Sequence, residues 1–298
     1  MDTIIELFSY DFFVNAFIAS LLAAISCGIV GTYIVSRRIV FISGGITHAS
    51  FGGIGMGYYL GINPLFGAGI FAILSGMGIQ LFSSKGKVRE DSSIAIWWSL
   101  GMAIGIIFVY MTPGYAPNLM SYLFGSILTV SSGEIWLMLA LAIVIILFFT
   151  FFYRTILYIS FDEDFARTSN LPVNLFNYLL MILISLTIVL NIRVVGIILI
   201  LSLLTIPQAT ANVLTREFGR MMAYSVGFAF LASFIGLLIS YFADIPSGAT
   251  IIFTQVILFG LVKLAKTIWS QKKSFQLNQS HFFKPKSNNV EFVFLSRK

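Results

Sequence analysis

Residues 138–152 read Met-Leu-Ala-Leu-Ala-Ile-Val-Ile-Ile-Leu-Phe-Phe-Thr-Phe-Phe, a run of fifteen residues with no charged side chain. Another charge-free run occupies residues 179–190. Apolar residues make up 58% of the 298 residues and charged residues 10%, against about 45–50% and about 25% in soluble domains. Because such a chain is suited to lipid as its solvent, the sequence predicts an all-α, polytopic transmembrane helical bundle.

The predicted membrane crossings are segments of about 20 mostly apolar residues. Eight or nine are expected, and ten stay open because glycine and proline interrupt several segments and residues 119–130 are compatible with a re-entrant turn. The nine segments are 12–35, 45–62, 64–82, 92–111, 134–153, 173–190, 194–212, 220–241 and 248–267.

The distribution of positive charge predicts the orientation, because Lys and Arg concentrate in cytoplasmic loops. With the amino terminus outside, all of the 18 basic residues except Arg193 fall in inner loops or in a cytoplasmic carboxyl-terminal region. We therefore expect an extracytoplasmic segment 1–11, a membrane domain 12–268 and a polar cytoplasmic tail 269–298. The net charge of +6 then reflects topology, and no nucleic-acid partner is expected, because a basic stripe interleaved with stacking aromatics is absent.

The nearly uncharged segment 46–61 carries one histidine, His48, near its start. An ionisable ring in a lipid-length segment is costly, so it marks a functional site unless it is hydrogen-bonded to a neighbouring helix. Ser43 and Thr47 supply the only other polar side chains that we expect near the ring. The glycines of this segment form small-xxx-small pairs, which favour close helix packing either within one chain or across a dimer seam.

The loop 161–173 has the charge pattern of a short amphipathic helix. Asp162 is suited to the N-cap, Glu163 and Asp164 to the positive helix start, and Arg167 to the last turn. Such a helix would offer a surface to a partner, and an ordinary connecting turn is the alternative.

Several kinds of activity are disfavoured by what the sequence lacks. It has no G-x-x-x-x-G-K-[ST] phosphate loop, so it is not expected to hydrolyse ATP itself. Its acidic residues lie at the ends of the predicted segments or in loops, which disfavours a carrier coupled to protons or sodium. Pro207 should break or kink its segment, and Gln208 and Thr210 would then face a transport path. We expect a transport subunit rather than an enzyme.

The chain resembles the integral-membrane permeases of the zinc/manganese/iron family of ATP-binding cassette importers, from about Phe12 to Lys266. The motifs that carry the resemblance are Ser36-Arg37-Arg38, His48-Ala-Ser-Phe-Gly-Gly53, Leu60-Gly-Ile-Asn-Pro64, Arg89-Glu-Asp91, Leu123-Phe-Gly-Ser-Ile-Leu128, Phe161–Val173, Val194-Val-Gly196 through Ile206–Ala211, and Ile245–Thr250.

The resemblance implies an importer of a divalent transition metal in a bacterial cell membrane. Two copies of the chain would assemble on two cytoplasmic ATPase subunits, and an extracytoplasmic receptor would deliver the metal. The chain would need no cofactor of its own, because the ATPase binds the ATP. In that family the loop matching 161–173 contains the helix that docks on the ATPase, which favours a coupling role for Asp162, Glu163, Asp164 and Arg167.

One position departs from the family pattern. Members commonly carry an Asp four residues before the histidine that matches His48, and this chain has Gly44 there. One strong ligand per protomer is left, which would suit passage rather than storage of an ion. Since imidazole suits zinc and iron while carboxylates favour manganese, zinc is favoured, followed by iron or manganese. A metal-chelate importer, and an autonomous channel or secondary carrier, are the alternatives.

Overall fold

The computed structural model describes residues 6–113, 125, 127 and 130–282, except for the side chains of residues 193 and 272–282. These residues form twelve helices and no strand, which confirms the all-α prediction. The helices are α1 (Asp11–Ser36), α2 (Phe41–Leu60), α3 (Pro64–Ser84), α4 (Glu90–Met111), α5 (Ser132–Phe151), α6 (Tyr153–Phe161), α7 (Glu163–Thr168), α8 (Val173–Val195), α9 (Ile197–Leu203), α10 (Ile206–Leu214), α11 (Phe218–Ala243) and α12 (Ser247–Phe282).

Eight stretches of the described chain are long and apolar enough to cross a membrane. They are α1, α3, α4, α5, α8, the α9–α10 pair, α11 and α12. Helix α2 is less hydrophobic because it contains many glycines and His48, but its 20 residues extend about 30 Å, enough to cross the hydrocarbon core. With α2, the helices match the nine predicted crossings, so the protein is a multi-pass membrane protein.

Two predicted segments differ in detail from the observed helices. The crossing predicted at 194–212 is divided into α9 and α10, with the interruption at Leu204 and Thr205. Pro207 lies in the first turn of α10, where its missing N–H costs nothing, so the break precedes the proline. Helix α12 continues to Phe282, and the first part of the predicted tail is therefore helical. Most of the predicted re-entrant turn at 119–130 lies outside the described residues.

Helix α2 packs mainly against α3 and α4, and it also contacts α8 and α9. A Cβ atom on Gly53 would collide with the carbonyl oxygen of Gly67 on α3, and one on Gly55 with the carbonyl oxygen of Gly105 on α4. The glycines of α2 therefore bring helix backbones into contact within one chain, as small residues do in membranes. This observation favours the packing interpretation of the glycine pattern over a dimer seam.

Candidate functional site

Helix α7 confirms the short helix predicted within the loop 161–173. The side chain of Asp162 accepts a hydrogen bond from the Phe165 N–H at 2.9 Å, so Asp162 is the N-cap. Asn170 follows the helix with a positive φ of 57°, the left-handed conformation in which helices commonly end. The fold of this loop is thus determined locally, by the capping residues that its sequence supplies.

Glu163 on α7 is the centre of a polar network. Its Oε2 atom lies 2.6 Å from Arg37 Nη2, and its Oε1 atom lies 2.6 Å from Arg167 Nη2. Arg37 also donates to Asn177 Oδ1 on α8 at 2.8 Å and to the Tyr33 hydroxyl at 3.0 Å. Burial lowers the pKa of Arg37, but Tyr33 and Glu163 outweigh this effect, so the pKa is raised and the charge is retained.

A polar cavity of about 440 Å³ adjoins this network. Its lining includes Arg37, Ser84, Lys85, Glu90, Glu163 and Arg167. The ends of α1 and α3, the start of α4 and helix α7 therefore meet at one end of the bundle, which we call the basic end. Three of the predicted inner loops come together there, in agreement with the grouping derived from the positive charges.

The outer surface of α7 and α6 is aromatic. Phe165 is 51% exposed, Phe161 is 62% exposed, and Tyr158 packs edge-to-face against Phe165 with ring centroids 5.5 Å apart. Exposed aromatic groups at the end of a bundle, beyond its spanning helices, are typical of protein interaction sites. Sequence reasoning singled out the charged residues of this loop and missed these aromatics, although the predicted amphipathic helix already required an apolar face.

His48 lies on α2 and stacks on Trp98 of α4. The ring centroids are 4.4 Å apart and the planes differ by 3°. Neither ring nitrogen of His48 is hydrogen-bonded to a described residue. Within the described residues, the alternative that His48 is hydrogen-bonded to a neighbouring helix is therefore not supported. No local sequence pattern pointed to Trp98, which is fifty positions away along the chain.

The hydroxyls of Ser43 and Thr47 bond to backbone carbonyls and not to the His48 ring. Both are fully buried and donate to carbonyls of the same stretch of chain, Ser43 to Val40 and Thr47 to Ser43. Spacing of four residues places Ser43 and Thr47 on one face of α2, whereas Gly44 shares the face of His48. Among the described residues no group of three or more His, Cys, Asp or Glu side chains could hold a metal ion.

Gln208 and Thr210 are buried on α10. The Gln208 amide donates to the carbonyls of Cys27 at 2.8 Å and Leu203 at 3.0 Å, which ties the start of α10 to α1. Its Oε1 atom has no hydrogen-bond partner among the residues that the structure describes. Thr210 donates to the Ile206 carbonyl. Gln208 thus compensates for backbone groups near the α9–α10 interruption, and a path-lining role for either residue stays a prediction.

The comparisons with known proteins cover most of this bundle. The profile described as the ABC 3 transport family matches residues 9–266. The chain belongs to the ABC 3 transport family. The matched range agrees with the extent, Phe12 to Lys266, over which the sequence resembled these permeases.

Relatives of this ABC 3 family member match over most of their length. An uncharacterized membrane protein of Synechocystis is 42% identical, covering 89% of this chain and 94% of the relative. The manganese transport system membrane protein MntC of Halalkalibacterium halodurans is 32% identical, covering 86% and 88%. The solved structure of PsaBC from Streptococcus pneumoniae in complex with Fab aligns with a TM-score of 0.77 and 30% identity, covering 87% of this chain and 95% of the other.

Proposed function

We propose that this chain is the membrane permease subunit of an ATP-driven importer of a divalent transition metal. Family membership supports the transport role, and relatives of similar length are named manganese transport proteins. The main structural support for the proposal is the geometry of α7. This capped helix lies at the basic end, with an aromatic face outward and Glu163 inward. Its geometry suits docking of a separate cytoplasmic ATPase, to which we assign the ATP hydrolysis.

The proposed assembly is a homodimer that receives metal from an extracytoplasmic receptor. Two protomers would contribute two His48 rings to one path, with the Trp98 rings beside them. A site with so few strong ligands binds weakly enough for an ion to leave again. Asp162 and Asp164 would shape the start of α7, while Glu163 and Arg167 would hold it against the bundle.

Two considerations point to different cargo ions. The imidazole of His48, without a carboxylate, favours zinc or iron, whereas the names of the relatives favour manganese. The deciding measurement is the metal content of cells with and without this gene, grown under metal limitation and restored with wild type. A selective fall in one metal names the cargo, and unchanged metals would contradict the proposal in favour of a chelate cargo.

Replacing Gly44 by Asp should shift transport toward manganese. A Cβ at Gly44 would lie 3.6 Å from Leu201 Cδ2 and 3.9 Å from Trp98 Cζ3, which is ordinary contact, so a side chain can start there on the His48 face without a backbone collision. We expect the manganese-to-zinc uptake ratio to rise roughly tenfold, within the range by which changes around metal ligands alter affinity. Competitive uptake of both metals into cells, measured by mass spectrometry, provides the ratio.

The matched control for Gly44→Asp is Gly44→Asn, which has nearly the same shape without the charge. Gly44→Asn should leave the ratio near that of wild type. An equal rise in both variants would attribute the effect to side-chain volume, and no rise in either would place Gly44 away from the metal route.

Replacing Phe165 by Ala should weaken the association with the ATPase. Truncation of an aromatic hot spot costs about 2 kcal/mol or more, so the dissociation constant should rise by at least roughly 30-fold. Retention of the ATPase on the purified permease in mild detergent, titrated with ATPase, measures this change.

Phe242→Ala is the control for Phe165→Ala. Phe242 is comparably exposed, at 59%, but it lies near the opposite end of α11 from Phe218, which contacts Phe161. Equal retention of the ATPase by both variants would contradict docking at α7. Metal flux through liposomes that contain the chain alone, without an ATPase, would instead favour a channel or secondary carrier.

A further inference from the structure

The turn between α1 and α2 carries two successive arginines in different surroundings. The Arg37 side chain is 17% exposed and lies within the network of Glu163. The Arg38 side chain is exposed and makes no ion pair or hydrogen bond with the described residues. The Ser36-Arg37-Arg38 motif therefore offers a matched pair. Arg37 is held by side-chain contacts, and Arg38 has no such contact with the described residues.

The guanidinium of Arg37 connects three helices. It belongs to the end of α1, pairs with Glu163 on α7 at 2.6 Å and donates to Asn177 on α8 at 2.8 Å. Both α7 and α8 are far from Arg37 in sequence, so this side chain fixes α7 against the membrane helices. Charge-assisted bonds of this kind are short and strong, and they carry geometric specificity.

Arg37 is also close, along the chain, to the helix that carries His48. Helix α2 begins at Phe41, and His48 follows about 10 Å further along its axis. The turn itself is tight, since the Arg38 N–H donates to the Val35 carbonyl and the Ile39 N–H to the Ile34 carbonyl. A displacement of Arg37 would therefore be passed to the start of α2 by a short, hydrogen-bonded segment.

We propose that Arg37 is the positioning residue that couples α7 to α2. When the ATPase displaces α7, Glu163 moves Arg37, and the α1–α2 turn moves the helix that carries His48. This inference rests on the proposed function and adds a mechanical link that connects the ATPase contact with the metal route. The requirement is the ion pair itself, because it is the charge-assisted link between the α1–α2 turn and α7. Without Glu163 the half-buried Arg37 loses its acidic partner, and without Arg37 the Glu163 carboxylate stays ion-paired, among the described residues, only with Arg167 on its own helix.

The experiment compares Arg37→Gln, Glu163→Gln and Arg38→Gln in the complete complex with ATPase and receptor. The readout is the number of metal ions imported per ATP hydrolysed, together with retention of the ATPase. Arg37→Gln and Glu163→Gln should lower this ratio about tenfold, within the usual range of coupling between sites, while the ATPase stays bound. Arg38→Gln, which removes an equal charge one residue away, should match wild type.

Non-additivity provides the second criterion. If the two side chains act through each other, the double variant Arg37→Gln/Glu163→Gln should lose no more than the worse single variant. Additive losses, or a ratio for Arg37→Gln equal to that of Arg38→Gln, would overturn the inference.

Arg37→Lys provides the same test if Arg37→Gln does not assemble. The lysine keeps the charge but lacks the planar fork that reaches Glu163 and Asn177 together. We expect an intermediate ratio, and a ratio equal to wild type would count against the inference. If the wild-type complex imports no metal, the proposed function is contradicted. If the wild type imports metal and the Arg37 variants import as many ions per ATP as wild type, only the coupling role is contradicted.

Discussion

Replacing His48 by Ala is expected to reduce metal uptake by roughly two orders of magnitude. His48 is the one strong metal ligand that we assign to each protomer, and even loss of a partner that supports a ligand typically costs about 10–100-fold in affinity or activity. The prediction is strengthened because, within the described part of the chain, the ring stacks on Trp98 and neither of its nitrogens is hydrogen-bonded. Uptake into energised cells or ATP-loaded proteoliposomes, measured by mass spectrometry, tests it.

The control for His48→Ala is His281→Ala, which alters the only other histidine of the chain, at the far end of α12. His281→Ala should import metal as wild type does. A packing role for His48 predicts a different pattern: thermal stability would fall with the loss of an aromatic contact worth about 0.5–1.5 kcal/mol, while uptake per folded complex would be unchanged. That result would mean that His48 stabilises the fold and does not bind the transported metal.

The fold could be predicted from sequence because lipid imposes a simple rule. Charge-free runs such as 138–152 can satisfy their backbone groups only as helices or closed barrels, so composition and length nearly determine the crossings. The capped helix α7 was predictable for a local reason, since Asp162 lies directly before the residues that it caps. Helix α2 could be recognised only by its length and lack of charge, because its glycines lower its hydropathy.

The site was less predictable because its decisive contacts join distant parts of the chain. Trp98 meets His48 only because α4 packs on α2, and no local pattern records that pairing. Likewise, the sequence pattern identified Glu163 as a helix-start residue but could not place it beside Arg37, 126 positions away. Gln208, a polar residue after a helix break, was expected to face a transport path. Its amide is bonded to the carbonyls of Cys27 and Leu203, contacts that no local pattern records, and the path-lining role stays a prediction.

Replacing Gly53 by Ala should prevent the bundle from folding properly, although alanine favours helices. The added Cβ would collide with the backbone of Gly67 and Ala68 on α3, where no side chain can rotate away. Overpacking typically costs about 1–3 kcal/mol even where side chains can adjust, and we expect at least about 3 kcal/mol here because two backbones must separate. Alanine's helix propensity returns only about 1 kcal/mol.

Gly227→Ala on α11 should raise stability, whereas Gly53→Ala should lower it. Comparing the two variants therefore separates the backbone collision from the effect of helix propensity. Apart from the adjoining backbone of α11 itself, no atom of the described residues lies within 4 Å of a Cβ at Gly227, so only the propensity gain of about 1 kcal/mol acts. We expect a lower yield in the membrane and a lower detergent melting temperature for Gly53→Ala, and a slightly higher melting temperature for Gly227→Ala. Stability equal to wild type for Gly53→Ala would mean that α2 and α3 are further apart than the structure places them. The close packing of the His48 helix against α3 would then lose its physical basis.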